Sequence, residues 1–294
     1  MSDILTKSVS KDGKFRAYVV NATETIQEAQ KRHDTWRNSS AALGRTMIGS
    51  ILVATSTLKE DEVLTTRVQG DGPVGAIVVD ADAQGNTKGY ISNPHVALKA
   101  REDGHIDVKA AVGTKGTLSI TKDLHLKEPF TGQVPLVSGE IGMDFAYYMA
   151  KSEQIPSAIG VSVFVLPNEK VGAAGGFLIQ TLPGATDKDI SQIEINLKNI
   201  PNLSTLLNEG LSNDEILNKI MNGIEMKVLQ EMPVQFHCDC SKDRFSKSLA
   251  TLSKKELESM IEENHGAEAV CKFCGNKYQF SEADLKQIIV EKEQ

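Results

Sequence analysis

Cys238-Asp239-Cys240 and Cys271-Lys272-Phe273-Cys274-Gly275-Asn276 lie near the end of the chain, with thirty residues between them. They contain all four cysteines of a 294-residue sequence, and the first 237 residues contain none. A secreted protein that uses disulfides as staples spreads its cysteines through its weakest cores. Two close pairs in one short block instead suit a metal site kept reduced in the cytoplasm. Zinc takes four soft ligands arranged tetrahedrally, and thiolate serves it best. The C-x-x-C half ends in Gly275, whose freedom of backbone lets both sulfurs face one ion. C-x-C is a less common half-site that also chelates. Cys238, Cys240, Cys271 and Cys274 are therefore the expected ligands of one zinc ion. His237 adjoins the first ligand, but four cysteines already fill the shell. His33, His95, His105, His125 and His265 show no ligand spacing. Ser253 with Glu256, and Ser281 with Asp284, carry the pattern of helix starts on either side of the second pair.

Working outward, residues 233–294 form the zinc block and hold nine Lys or Arg against eleven Asp or Glu. The whole chain carries a formal charge of −7. An acidic surface repels phosphate backbones, so nucleic acid is not an expected partner. Before that block, from Pro183-Gly184 to Met232, the sequence turns polar, with short helices expected over 187–197, 202–208 and 212–221. Few large apolar groups stand in this stretch, and helices of about ten residues are marginal without packing partners. Residues 183–232 read as a helical connector that depends on its neighbours.

Residues 1–182 read as one α+β domain built on antiparallel sheet. Phe15-Arg-Ala-Tyr-Val-Val20 has strand composition, and Thr25 with Glu28 suggests a capping box for the helix after it. Ala41 to Thr55 is small and apolar almost all round, as in a helix buried in a core. Ser, Thr and Arg45 within it make a poor membrane span, and no other stretch approaches the roughly 20 apolar residues one needs. From Val63 to about Leu136 short strands alternate with turns, among them 63–69, 76–79, 89–91 and 116–120. A helix over 140–152 gathers Phe145, Tyr147 and Tyr148, and strands over 159–166 and 171–180 close the domain. Met1-Ser-Asp-Ile-Leu-Thr-Lys7 has no apolar run of the signal-peptide kind.

Gly70-Asp-Gly-Pro73 looks superficially like a phosphate cradle, but no helix start follows it, so a tight turn is expected. Ala173-Ala-Gly-Gly176 falls inside a strand pattern, where glycine marks a bulge or close packing. Ser152-Glu153-Gln154 lacks the elbow and companion histidine of a nucleophilic site. No catalytic residue and no organic cofactor is assigned.

The C-x-C, thirty-residue spacer and C-x-x-C together resemble the bacterial redox-regulated heat-shock chaperones of about 33 kDa, which are zinc-dependent holdases. Gln69-Gly-Asp-Gly-Pro73, Ser152-Glu-Gln154, Ala173-Ala-Gly-Gly-Phe-Leu-Ile-Gln180 before Leu182-Pro183, and Cys274-Gly-Asn-Lys-Tyr-Gln-Phe280 match the same family, and the likeness spans nearly the whole chain. The resemblance implies a stress-responsive cytoplasmic chaperone rather than an enzyme. It implies binding of unfolding client proteins and a homodimer when active. It also implies a switch in which oxidation pairs Cys238 with Cys240 and Cys271 with Cys274, releases zinc, and unfolds the last block and connector. Two other classes remain open from the residues: an enzyme in 1–182 with a structural zinc tail, and a zinc-ribbon adaptor.

Overall fold

In the computed structural model, which describes residues 3–292, the chain begins with a hairpin of β1 (Ile4–Ser10) and β2 (Phe15–Asn21). Helices α1 (Thr23–His33) and α2 (Arg37–Thr57) follow, and then β3 (Val63–Gln69), β4 (Ala76–Asp82) and β5 (Asn86–Ile91). A short helix, α3 (Val108–Val112), leads to β6 (Thr117–Asp123) and β7 (Phe130–Pro135). Helix α4 (Gly142–Lys151) precedes a long hairpin, β8 (Ser157–Val165) and β9 (Val171–Thr181). Helices α5 (Asp187–Asn199), α6 (Leu203–Asn208) and α7 (Asn213–Ile220) come next, then β10 (Met226–Pro233) and β11 (Gln235–Phe236). The last part holds α8 (Lys242–Leu249), α9 (Lys254–Asn264), β12 (Gly266–Val270), β13 (Lys277–Ser281) and α10 (Glu282–Lys292). The class is α+β on antiparallel sheet, as expected. One unit ends at His237 and the other starts at Cys238.

The first unit holds a five-stranded sheet in the order β10-β1-β2-β9-β8 and a six-stranded sheet in the order β11-β5-β4-β3-β6-β7. All pairings in them are antiparallel except the short β11–β5 pair. Helix α2 packs on strands of both sheets, and buried residues continue from Asn38 to Thr55 with only Arg45 half-exposed. Its hydroxyls tolerate this because they find carbonyls: Ser39 that of Asn93, Ser40 that of Thr35, and the later ones a carbonyl about one turn back. Thr46 donates to Ala42 O at 2.8 Å, Ser50 to Thr46 O at 2.8 Å, and Thr55 to Ile51 O at 2.8 Å. Gly176 shows how closely α2 approaches the sheet. A Cβ there would stand 2.5 Å from Ile48 Cγ2 and 2.9 Å from the Gly160 carbonyl oxygen. Gly176→Val is therefore expected to destabilise the protein by about 1–3 kcal/mol, read as a lowered unfolding midpoint in urea.

Strand period decides what lies on the other face. Along β2, Tyr18 and Val20 turn toward α2, while Phe15, Ala17 and Val19 turn the other way. Those three, with Ile179, form a second core with Ile193, Leu203, Leu206, Ile216, Leu217, Ile220 and Met221 of the helical stretch. The segment expected as a connector, 183–232, thus lies within the first unit, and β10 extends its sheet beside β1. Sparse apolar residues suffice there because the sheet supplies the opposing surface. Polar ties add to the contact. Asn213 Nδ2 donates to Ile4 O at 2.9 Å, Val19 O at 3.1 Å and Thr6 Oγ1 at 3.2 Å.

One expected cap differs. Helix α1 begins at Thr23, so Thr25 lies within its first turn, and its N–H is held by Asp3 Oδ2 at 2.6 Å, with Glu24 N–H on Asp3 Oδ1 at 3.1 Å. A carboxylate brought in by the chain before β1 replaces the local capping box. Ser39 and Ser40, which stand before the apolar run from Ala41, lie inside α2.

Candidate metal centre

In the second unit the hairpin of β12 and β13 presents the C-x-x-C turn at its tip. The pairing runs from Gly266 opposite Ser281 to Val270 opposite Lys277. Cys271 N–H donates to Asn276 O at 2.9 Å and Gly275 N–H to Cys271 O at 2.8 Å, with Gly275 at φ +75°. That conformation is open to glycine at little cost, so the turn closes with both sulfurs on one side. Helices with the expected caps flank the turn. Ser253 and Glu256 bond reciprocally at the start of α9. Ser281 N–H donates to Asp284 Oδ2 at 2.8 Å, and Asp284 N–H to Ser281 Oγ at 3.2 Å. The Ser281 backbone and Lys242 together hold the Asp284 carboxyl down at about 2.

The other half-site sits on a loop. Ser241 caps α8 by accepting from Arg244 N–H at 3.2 Å, and Arg244 pairs with Asp239 between the two cysteines. Tyr278 reaches across from β13. Its hydroxyl donates to Cys240 O at 2.8 Å and lies 3.1 Å from Cys240 Sγ. Its ring packs on Phe245 of α8 at 5.2 Å.

All four sulfurs lie within 4.8 Å of one another. Cys238 Sγ and Cys271 Sγ are 3.8 Å apart, and Cys240 Sγ and Cys274 Sγ 3.3 Å apart. Sulfurs held about 2.3 Å from one tetrahedral centre stand about 3.8 Å apart, so the cluster has the dimensions of a four-thiolate zinc site. Cys271 and Cys274 are buried and the other two half-buried. Burial pushes the Cys238 thiol up to about 11, and pushes Cys274 well above the usual thiol value. At Cys240 burial works the same way, but the Tyr278 hydroxyl and the neighbouring thiols outweigh it and bring the group to about 7. Thiolates crowded this closely repel one another, and a divalent cation is what allows all four to ionise together. The donor set fits the ion. Among the described residues this is the single grouping of three or more His, Cys, Asp or Glu side chains with metal-binding geometry.

The remaining sequence motifs are structural. Asp71 Oδ1 accepts from Thr114 N–H at 3.0 Å and Lys115 N–H at 3.1 Å. A carboxylate thus occupies the loop amides near Gly70–Pro73, where a phosphate cradle would leave them open. Glu153 pairs with buried Lys122 at 2.7 Å and accepts from Tyr148 at 2.8 Å, tying α4 to β6. Ala173–Gly176 lies in β9 at the close approach to α2 described above. The His237 N–H donates to Thr87 O in the first unit at 2.9 Å. Sequence reasoning did not single out Tyr278; its signal was the tyrosine four residues after Cys274.

The sequence profile of the family described as Hsp33 protein matches residues 3–281. The chain belongs to the Hsp33 family. The 33 kDa chaperonin of Latilactobacillus sakei subsp. sakei is 58% identical to it over 291 residues, covering 99% of this chain and 100% of that protein. The 33 kDa chaperonin of Levilactobacillus brevis is 59% identical, covering 99% of each. Among Hsp33 structures, the crystal structure of the 33 kDa chaperonin (heat shock protein 33 homolog) from Thermotoga maritima matches with a TM-score of 0.91 at 37% identity, covering 99% of both chains. Membership of the Hsp33 family supports a chaperone function, and the four-cysteine cluster can hold a metal ion. Among the described residues, no helix is long and apolar enough to cross a membrane.

Proposed function

We propose that the protein is a redox-regulated holdase of the cytoplasm, which binds unfolding proteins after its thiol centre is oxidised. The observation that carries this reading is the convergence of four sulfurs in a unit with little else to hold it. Apart from cysteine, its core among the described residues consists of buried Leu257, Phe280, Leu285 and Ile288, with only partly buried apolar residues packed around them. A bound zinc ion would keep the four sulfurs as thiolates and contribute on the order of 10–16 kcal/mol to folding.

Cys238, Cys240, Cys271 and Cys274 act as donors and as redox groups in turn. A thiolate attacks a peroxide oxygen, forming an S–O bond as the O–O bond breaks. A neighbouring thiolate then displaces that oxygen as water and closes a disulfide. The pairs proposed are Cys238–Cys240 and Cys271–Cys274. Sulfurs joined in this way no longer serve as thiolate donors, and loops this small restrict the unfolded chain little. Without its tie, a block of this size cannot hold its fold.

Residues 183–232 run directly into that block and form the proposed connector, released with it. Release of α5–α7 would uncover Phe15, Ala17, Val19 and Ile179 on the sheet, together with the apolar faces of the helices. Exposed apolar surface of this kind is what an unfolding client binds. The active form is proposed to be a homodimer that works by binding rather than by catalysis.

Reduced protein is expected to hold one zinc per chain by metal analysis; two ions, or none after reduction and zinc addition, would contradict the site. The test of function is light scattering from a thermally unfolding protein. Suppression should appear after peroxide and vanish on reduction with zinc restored. An adaptor, or an enzyme with a structural zinc tail, would give no such peroxide-dependent protection.

A further inference from the structure

The two halves of the thiol centre are joined by a contact that needs no metal. Cys240 lies on the loop before α8, whereas Cys271 and Cys274 lie on the β12–β13 hairpin. Tyr278 belongs to the hairpin and bonds to the loop twice. Its hydroxyl reaches the Cys240 carbonyl at 2.8 Å with Cys240 Sγ 3.1 Å away, and its ring lies on Phe245, one turn into α8, at 5.2 Å. Strand alternation places it there. Tyr278 and Phe280 share the face of β13 that meets the small apolar core, so the ring is anchored while the hydroxyl projects to the loop.

We propose that Tyr278 is a positioning residue of this centre, whose hydroxyl holds Cys240 beside Cys274 and slows attack by peroxide on the Cys240 sulfur. The proposal rests on the reading of the thiols as a redox switch and adds what sets its threshold. Two physical effects act together. The hydroxyl gives its one proton to the Cys240 carbonyl and its oxygen stands 3.1 Å from Cys240 Sγ, so it covers one side of the sulfur against an approaching oxidant. The bond to the carbonyl also keeps the loop from swinging Cys240 outward into solvent. Partners outside the ligand shell tune metal sites in this way. The reaction affected is the first one: the Cys240 thiolate attacks hydrogen peroxide, an S–O bond forms, the O–O bond breaks, and the departing hydroxide takes a proton to become water. The sulfur is oxidised and the peroxide reduced.

The experiment compares full-length, reduced, zinc-loaded parent with Tyr278→Phe and Phe245→Leu. Tyr278→Phe keeps the ring and removes the hydroxyl; Phe245→Leu loosens the ring contact and keeps the hydroxyl. Thiol loss in hydrogen peroxide should be about three- to tenfold faster in Tyr278→Phe, the scale of one hydrogen bond. Extraction of zinc by a chelator, which reads the hold on the loop and not sulfur nucleophilicity, should rise by a smaller factor than oxidation does, and both rates should rise less in Phe245→Leu than in Tyr278→Phe. An unchanged oxidation rate in Tyr278→Phe would overturn the proposal, and so would an equal rise in oxidation and chelation, which would mark a purely structural role. A rise in Phe245→Leu as large as that in Tyr278→Phe would also overturn it. A second measurement follows alkylation by N-ethylmaleimide residue by residue in the zinc-loaded proteins. Cys240, half-buried in the parent, should react faster in Tyr278→Phe than in the parent, while Cys238 keeps its rate. If Cys240 reacts at the same rate in both, the hydroxyl gives no protection. Failure of the switch reading is seen separately, as oxidised parent that does not suppress client scattering.

Discussion

Replacing Cys271 and Cys274 by serine should abolish stoichiometric zinc binding and unfold the chain from Cys238 onward. The double substitution removes both buried sulfurs of the centre and leaves the two on the loop. A serine hydroxyl is a poor zinc ligand at neutral pH, so two remaining thiolates cannot close a tetrahedral site. The loss is on the scale of the metal's contribution, on the order of 10 kcal/mol. That exceeds what four fully buried apolar residues can offset. The hairpin turn survives in principle, since Cys271 contributes to it through backbone groups, but its tip no longer holds the loop. Circular dichroism should show loss of helix from α8–α10, and metal analysis should show less than one zinc per chain. If the block is a latch, the variant should also suppress client scattering in reductant, partly mimicking the oxidised protein. If the zinc is a staple for an unrelated function, the variant should unfold locally or aggregate and protect nothing. Absence of protection by both the variant and the oxidised parent would leave the four thiolates merely structural.

The thiol centre was legible in the sequence because its signal is chemical and local. Four cysteines in two short pairs define a donor set whatever the fold around them. The central helix was legible for a similar reason, being small and apolar almost all round over 41–55. What escaped reading depends on partners remote in sequence. Strand β1 carries Thr6, Ser8 and Ser10, all buried and hence polar residues in core positions. Ser8, for example, is satisfied by donating to Ala17 O at 3.0 Å. Strand β10 leaves Val228 and Leu229 exposed and is defined by pairing with β1 at the other end of the chain. The helices of 187–220 read as a connector dependent on its neighbours, but which neighbours was not legible, because their few apolar residues become a core only against Phe15, Ala17 and Val19. The cap from Asp3 and the hydroxyl of Tyr278 are likewise contacts between segments. Neither has a periodicity to betray it.

That helical layer is where a second large effect is expected, from Ile216→Ala combined with Ile220→Ala. Ile216 and Ile220 stand one turn apart on α7 and are 0% and 1% exposed. Each truncation of this kind costs about 2–5 kcal/mol through lost burial and the cavity left behind. The two share one cavity, so their effects are not expected to add simply. The layer has limited means to absorb this. Its polar ties include the Asn213 bonds to β1 and β2, the Asn196 bonds to Ile220 O and Asn222 O at 2.9 Å each, the Ser204–Ser162 hydroxyl pair at 2.6 Å, and the Lys14–Asp189 pair at 2.9 Å. The residues of the thiol centre are untouched, so zinc content should stay at one per chain. Limited proteolysis of the reduced protein should then cut within 187–221, while the α2-centred core stays intact. If release of this layer uncovers the client surface, the variant should protect a client in reductant without peroxide. Met47→Ala supplies the contrast, since Met47 is 0% exposed in the α2 core and its loss destabilises the unit without loosening the helices selectively. Cleavage within 187–221 without protection would separate release of the helices from client binding and sink the connector mechanism. Protection equal to that of Met47→Ala would mean that general instability, not this surface, is what the client meets.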